Sequence, residues 1–184
     1  MDLELRLYPD DVLRRVAEPV GPITDEIRAL VPRLMAKMYE TRGVGLAAPQ
    51  VGLSLRLVVA NEFGNPEIKE GEEVWINPVI LEREGAVRGE EGCLSLPGIT
   101  GKILRAQKIV VRYTDLEGVE RTVTALDWKA RIFQHEIDHL DGILIIDKMS
   151  PAELAFAEQE IRELEDPEAP ERPARARGHA AAAL

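Results

Sequence analysis

A chain of 184 residues with 45% hydrophobic content carries enough apolar material for one domain with a real core. Its 33 acidic residues outnumber 23 basic ones, and the net charge of -10 disfavours sequence-blind binding to nucleic acid or anionic membrane. No run approaches the roughly 18 apolar residues that span a bilayer. Met1-Asp2-Leu3-Glu4 has neither a basic leader nor an Arg-rich transit composition, so the expected location is cytoplasmic, with no membrane partner.

In chain order, residues 24–42 read as a helix. Ile27, Leu30, Val31, Leu34 and Met38 recur at helical spacing, Thr24 stands at the cap and Gly43 ends the run. Pro32 is awkward inside it and predicts a kink or a later start. Short runs rich in β-branched residues follow at 55–60, 74–81, 108–114 and 119–124. The last two flank Asp115-Leu116-Glu117-Gly118, a hairpin turn, and Ile109, Val111 and Tyr113 alternate with Val110 and Arg112 as in a strand covered on one face. A second helix is expected from about Ala125 to Leu140, with Thr124 and Asp127 as a capping pair and Asp141-Gly142 as its stop. A third begins at Ser150-Pro151-Ala152-Glu153, a capping box with proline at the first helical position, and its apolar stripe is Leu154, Ala157, Ile161 and Leu164. From Asp166 the composition turns to Pro, Arg and Ala with cancelling charges. The expected organisation is a single catalytic domain over 1–165 and a disordered tail over 166–184. Short strands followed by helices, without a βαβ rhythm, indicate α+β.

The chemistry concentrates in Gln134-His135-Glu136-Ile137-Asp138-His139. On a helix, positions i and i+4 share a face, so His135 and His139 can ligate one metal ion with Glu136 toward its open side as a base. Such a string also occurs on charged helices that hold no metal. Trp128, Ile132, Phe133 and Leu140 make this helix too apolar for a free surface position, however, and buried histidines need partners. The third ligand separates the classes. A metzincin-type protease would place a histidine where Ile145 stands, so that class fails. A thermolysin-like endopeptidase would take a downstream glutamate, Glu158 or Glu160. The remaining candidate is Cys93 in Glu91-Gly92-Cys93-Leu94-Ser95, the chain's one cysteine, which a strand ending at Gly92 would bring to the helix. Taken alone, a lone cysteine reads as a small buried hydrophobe. As a thiolate it binds zinc or ferrous iron, and two nitrogens with one sulfur leave the open position of a catalytic site. His179 lies in the tail and is a poor ligand candidate. Gly43-Val44-Gly45-Leu46-Ala47-Ala48-Pro49-Gln50 reads by itself as a helix stop and turn, yet its glycines permit close backbone approach and Gln50 offers an uncharged donor to an oxyanion.

These three segments, in this order and at this spacing, closely resemble the peptide deformylase family, and the likeness runs from Tyr8-Pro9-Asp10 to Asp147-Lys148-Met149-Ser150-Pro151. The resemblance implies Cys93, His135 and His139 as metal ligands, with Fe(II) as the usual native ion and Zn(II) or Ni(II) able to occupy the site. It implies Glu136 as general base and acid, Gln50 and the Leu94 N–H as oxyanion donors, and the Gly45 backbone as a partner of the substrate peptide. Val44, Trp128, Ile132 and the face of His135 would line the pocket for the methionine side chain, whose size Arg131 leaves open. The expected fold is antiparallel sheets packed around a central helix that carries the paired histidines, with a C-terminal helix. The substrate implied is the N-formyl-methionyl end of a nascent chain, with formate as a product. Contact with the ribosome through the C-terminal segment is a further expectation of the resemblance. The runner-up is the endopeptidase with a glutamate ligand. A protein in which the metal only holds the fold is disfavoured by the open position and by Glu136.

Overall fold

The computed structural model describes residues 3–166; the Pro/Arg/Ala segment 167–184, with His179, lies outside them. Ten regular elements follow in order: α1 (Asp25–Glu40), β1 (Gly45–Ala47), β2 (Leu57–Asn61), β3 (Glu72–Glu84), β4 (Val87–Gly92), β5 (Thr100–Arg105), β6 (Lys108–Thr114), β7 (Glu120–Leu126), α2 (Asp127–Leu140) and α3 (Pro151–Glu165). Five strands form one sheet in the order β1-β2-β3-β6-β7, and β4 and β5 form a separate two-stranded ribbon. Every pairing between these strands is antiparallel. The α+β expectation holds. Among the described residues no helix is long and apolar enough to cross a membrane.

Helix α1 starts at Asp25, so the later start allowed for Pro32 is corrected. The missing N–H of an interior proline costs about 3 kcal/mol. Leu30, Val31, Leu34, Met35 and Met38 are buried on one face, and each contributes about 1.5–3 kcal/mol. Tertiary burial outweighs the local defect.

Strand β2 is buried at all five positions because α1 and α2 cover opposite faces of the sheet at this end. Leu57 and Val59 belong to the cluster with Leu34 and Met38 of α1, whereas Val58 and Ala60 join Ile132, Phe133 and Ile137 of α2. Successive strand residues point to opposite faces, which explains an unbroken apolar run in a strand. Trp75 of β3 stacks on Phe133 at 3.6 Å between ring centroids and fixes α2 against the sheet. Strand β3 shifts register between Ile76 and Val79, where Pro78 has no N–H to offer the ladder. There the Asn77 side chain clasps both backbone groups of Val20 at 2.8 Å.

Three readings of local structure are refined. The hairpin turn at Asp115–Gly118 is present, closed by Gly118 N–H to Asp115 O at 3.0 Å and Asp115 N–H to Val119 O at 2.9 Å. The capping box of α3 is also present, with Ser150 N–H donating to Glu153 Oε2 at 2.8 Å. The capping pair expected for α2 is not. Thr124 pairs with Val110 in the sheet, Leu126 occupies the cap position without a side-chain bond, and the Asp127 N–H is taken by Gln107 O at 2.8 Å. Strand β7 runs straight into the helix, so sheet pairing satisfies groups that a cap would otherwise serve.

Candidate active site

Helix α2 brings His135 and His139 to one face, with ring centroids 4.9 Å apart. The ribbon delivers the third group. Cys93 follows β4 directly and its Sγ lies 3.2 Å from His139 Nε2. The ligand atoms of Cys93, His135 and His139 all lie within 4.8 Å of one another, and all three residues are buried. A metal ion suits this arrangement on physical grounds. His135 Nε2 is buried without a hydrogen-bond partner, an expensive state unless something accepts its lone pair. Burial, with the charge of His135 next, holds His139 well below the ordinary range and so keeps it in the neutral, ligating form. Burial pushes the Cys93 thiol up to about 12 in the protein alone. A cation reverses that preference, because metals bind the deprotonated sulfur. Cys93, His135 and His139 form a metal site.

The glutamates considered as alternative ligands do not take part. Glu158 is exposed on α3 and pairs with Arg162, and Glu160 lies on the same helix outside the cluster. The endopeptidase reading fails with them.

The side of the site nearest β4 is a dense charge network. Glu91 is buried completely and accepts from Arg105 Nε and Nη2, each at 2.8 Å, and from Arg131 Nη1 at 2.6 Å. Its Oε2 also lies 3.0 Å from His135 Nδ1. Burial alone would raise this carboxyl, but the Arg105 guanidinium and the His135 ring hold it far below the usual carboxylate range. A hydrogen bond from Nδ1 leaves Nε2 bearing the lone pair that a metal needs. Arg105 also pairs with Asp138 Oδ2, the same oxygen that Lys148 Nζ reaches at 3.3 Å. Sequence reading assigns none of these partners a role and sets Arg131 near the substrate pocket. The structure corrects that: Arg131 points to the ribbon.

The opposite side is different. Glu136 is fully buried and neither carboxylate oxygen has a partner among the described residues. Burial, then the charge of Glu91, raises its carboxyl to about 8 in the protein without a metal. A Cβ at position 45 would stand 2.7 Å from Glu136 Cδ, so only glycine leaves room for this side chain. Gln50 is oriented by its own loop. Its Oε1 accepts from Ala47 N–H at 2.9 Å, which turns Nε2 toward Ser95 Oγ at 3.3 Å and Cys93 Sγ at 3.9 Å. Leu94 occupies the turn closed by Leu96 N–H to Cys93 O at 3.0 Å. Val44, Ile132 and Trp128 meet in one apolar cluster, and the indole N–H of Trp128 donates to Glu62 O at 3.1 Å.

Residues 3–155 match the family model described as polypeptide deformylase. A peptide deformylase from Thermodesulfovibrio yellowstonii is 45% identical over 149 residues, covering 81% of this chain and 90% of that protein. The crystal structure of a peptide deformylase from Thermus thermophilus superposes with a TM-score of 0.83 at 45% identity, covering 90% of this chain and 98% of that one. A Plasmodium falciparum peptide deformylase structure gives a TM-score of 0.85 at 38% identity, covering 88% and 95%. Likeness of this extent in sequence, together with a shared course of the backbone, makes this chain a member of the polypeptide deformylase family.

Proposed function

We propose a division of labour among these residues for the deformylase reaction, the removal of the formyl group from an N-terminal formylmethionine. The observation that supports it best is Glu136, buried with both oxygens unpartnered beside the Cys93–His135–His139 metal site. A divalent metal, when bound, supplies Lewis acidity toward the formyl oxygen and acidifies water. Glu136 takes the proton of the attacking water and returns it to the departing amine, which would otherwise leave poorly. Gln50 Nε2 and the Leu94 N–H donate to the oxygen on which negative charge develops. The bond from Ala47 keeps the Gln50 amide in the donating orientation throughout, so no reorganisation accompanies the reaction. The methionine side chain lies against Val44, Ile132 and Trp128, an apolar surface suited to an unbranched thioether. Strand β1 is an edge of its sheet, and the Gly45 backbone there pairs with the extended substrate peptide.

The native metal in this reading is Fe(II), with Zn(II) or Ni(II) able to substitute, since a thiolate with two imidazoles accommodates all three. Residues 1–165 act as one catalytic unit in the cytoplasm on nascent chains, with α3 and the following segment as the contact to the ribosome. The test is formate release from formyl-Met-Ala-Ser by the Fe(II) protein without oxygen. Steady turnover that is lost on exposure to air supports both the reaction and the metal. Turnover that is equal in air removes the iron assignment, and absence of formate removes the substrate assignment.

A further inference from the structure

The two elements that carry the metal ligands lie side by side with matched spacing. On α2, Arg131, His135 and His139 recur every four residues and share a face. On β4 and its continuation, Val87, Gly89, Glu91 and Cys93 recur every two. Four residues of helix rise about 6 Å and two residues of strand about 6.5 Å, so such rows can stay in step. They do. Cys93 meets His139 at 3.2 Å, and Glu91 meets His135 at 3.0 Å and Arg131 at 2.6 Å.

Arg131 forms the last rung and grips both strands of the ribbon. Its Nη2 donates to Val87 O at 3.1 Å, and its Nη1 donates to Ile103 O of β5 at 3.1 Å with Gly89 O at 3.4 Å. A Cβ at Gly89 would stand 2.7 Å from Arg131 Nη2, so the guanidinium occupies the space that any other residue would fill. Apolar packing at this end of the ribbon is one-sided, with Ile103, opposite Gly89, its buried apolar residue. Val87, Arg88 and Leu104 are exposed at this end of the ribbon, whereas Ile103 and Ile99 are buried among Leu144, Ile145 and Met149. A two-stranded ribbon is marginal by itself and slides unless something sets its register.

We propose that Arg131 is a positioning residue for the metal site, setting the register of β4 along α2 and thereby the approach of Cys93 to the two imidazoles. The inference rests on the Cys93–His135–His139 site and concerns what holds it in shape. Arg131 touches no ligand atom of the site. It acts through the backbone carbonyls of Val87, Gly89 and Ile103 and through Glu91.

The test uses the full chain stripped of metal and titrated with Co(II), following the sulfur-to-cobalt absorption, the visible bands and the affinity against a competing chelator. Wild-type binding of one Co(II) through sulfur is the reference, and its absence would strike the metal site itself rather than Arg131. Arg131→Met, with its helical circular dichroism retained, is expected to bind Co(II) about 10–100-fold more weakly with shifted visible bands. Arg131→Lys restores the charge beside Glu91 but not the grip on three carbonyls, and recovers only part of that loss. Gly89→Ala displaces the guanidinium and reproduces the effect in the wild-type background, yet adds nothing in Arg131→Met. A folded Arg131→Met with wild-type affinity and spectrum, differing only in melting temperature, overturns the proposal. So does full additivity of the two substitutions. If Arg131→Met fails to fold, Gly89→Ala decides alone, and an unchanged cobalt spectrum in that variant refutes the assignment.

Discussion

The two sides of the metal site handle buried polar atoms in opposite ways. Toward β4, the Glu91 carboxylate accepts from two arginines and pairs with one imidazole, so its charge is satisfied on every side. Toward β1, the Glu136 carboxylate is equally buried and neither oxygen has a hydrogen-bond partner among the described residues, the nearby Ala47 N–H only partly opposing the effect of burial. Both are glutamates, two residues from a ligand or next to one, and both sit in low dielectric. Burial pushes both carboxyls up; Arg105 and His135 overcome it and hold Glu91 far down, whereas Glu136, without such partners, is raised to about 8. A satisfied charge holds its neighbours still, whereas an unsatisfied one is free to exchange a proton with something that arrives later.

This contrast can be broken first at its reactive side. Glu136→Ala is expected to lower the rate of formate release by about 10²–10⁴-fold while one equivalent of metal stays bound, as measured by steady-state assay and metal analysis. Retained activity would mean that the unpartnered carboxylate is not the base. Removing the satisfied charge should instead appear in stability. Glu91→Ala strands two guanidinium groups, and the expected loss is about 3–5 kcal/mol in denaturant unfolding of the metal-free chain. A loss below about 1 kcal/mol would show that Arg105 and Arg131 find solvent or other partners. Gln50→Ala should reduce kcat by about 10²–10³-fold, because its Nε2 faces the site, with a smaller loss of about 1–3 kcal/mol in stability from the buried Ala47 N–H left unpartnered. A fall in stability with kcat unchanged would class Gln50 as packing. The smallest effect belongs to the outer edge of the charge network. Lys148 reaches Asp138 at 3.3 Å but is partly exposed, and Lys148→Ala should cost no more than about 1 kcal/mol by thermal melting.

Much of the site is legible along the chain, and for a definite reason. His135 and His139 are one helical turn apart, so local geometry puts them on one face before any packing is known. The capping box at Ser150 and the hairpin turn at Asp115 are likewise complete within a few residues. The strands β1, β4 and β5 do not stand out as a set, because Arg88, Glu90 and Lys102 interrupt any apolar run and β1 spans only three residues. Local capping logic also misplaces the start of α2, where Thr124 is committed to the sheet.

What the amino-acid order determines by itself is therefore the list of reactive groups: two imidazoles and a carboxylate on one helix, a single thiol behind a glycine, and a glycine-rich loop ending in an amide. Each depends on spacing within one element. What only the tertiary structure decides is which charges are quenched and which are left open. Glu91 and Glu136 look alike in sequence, and their difference arises from Arg105, Arg131 and Gly45, which stand on three different elements. A carboxylate's behaviour in low dielectric is set by the groups packed around it, and those arrive only when distant segments fold together.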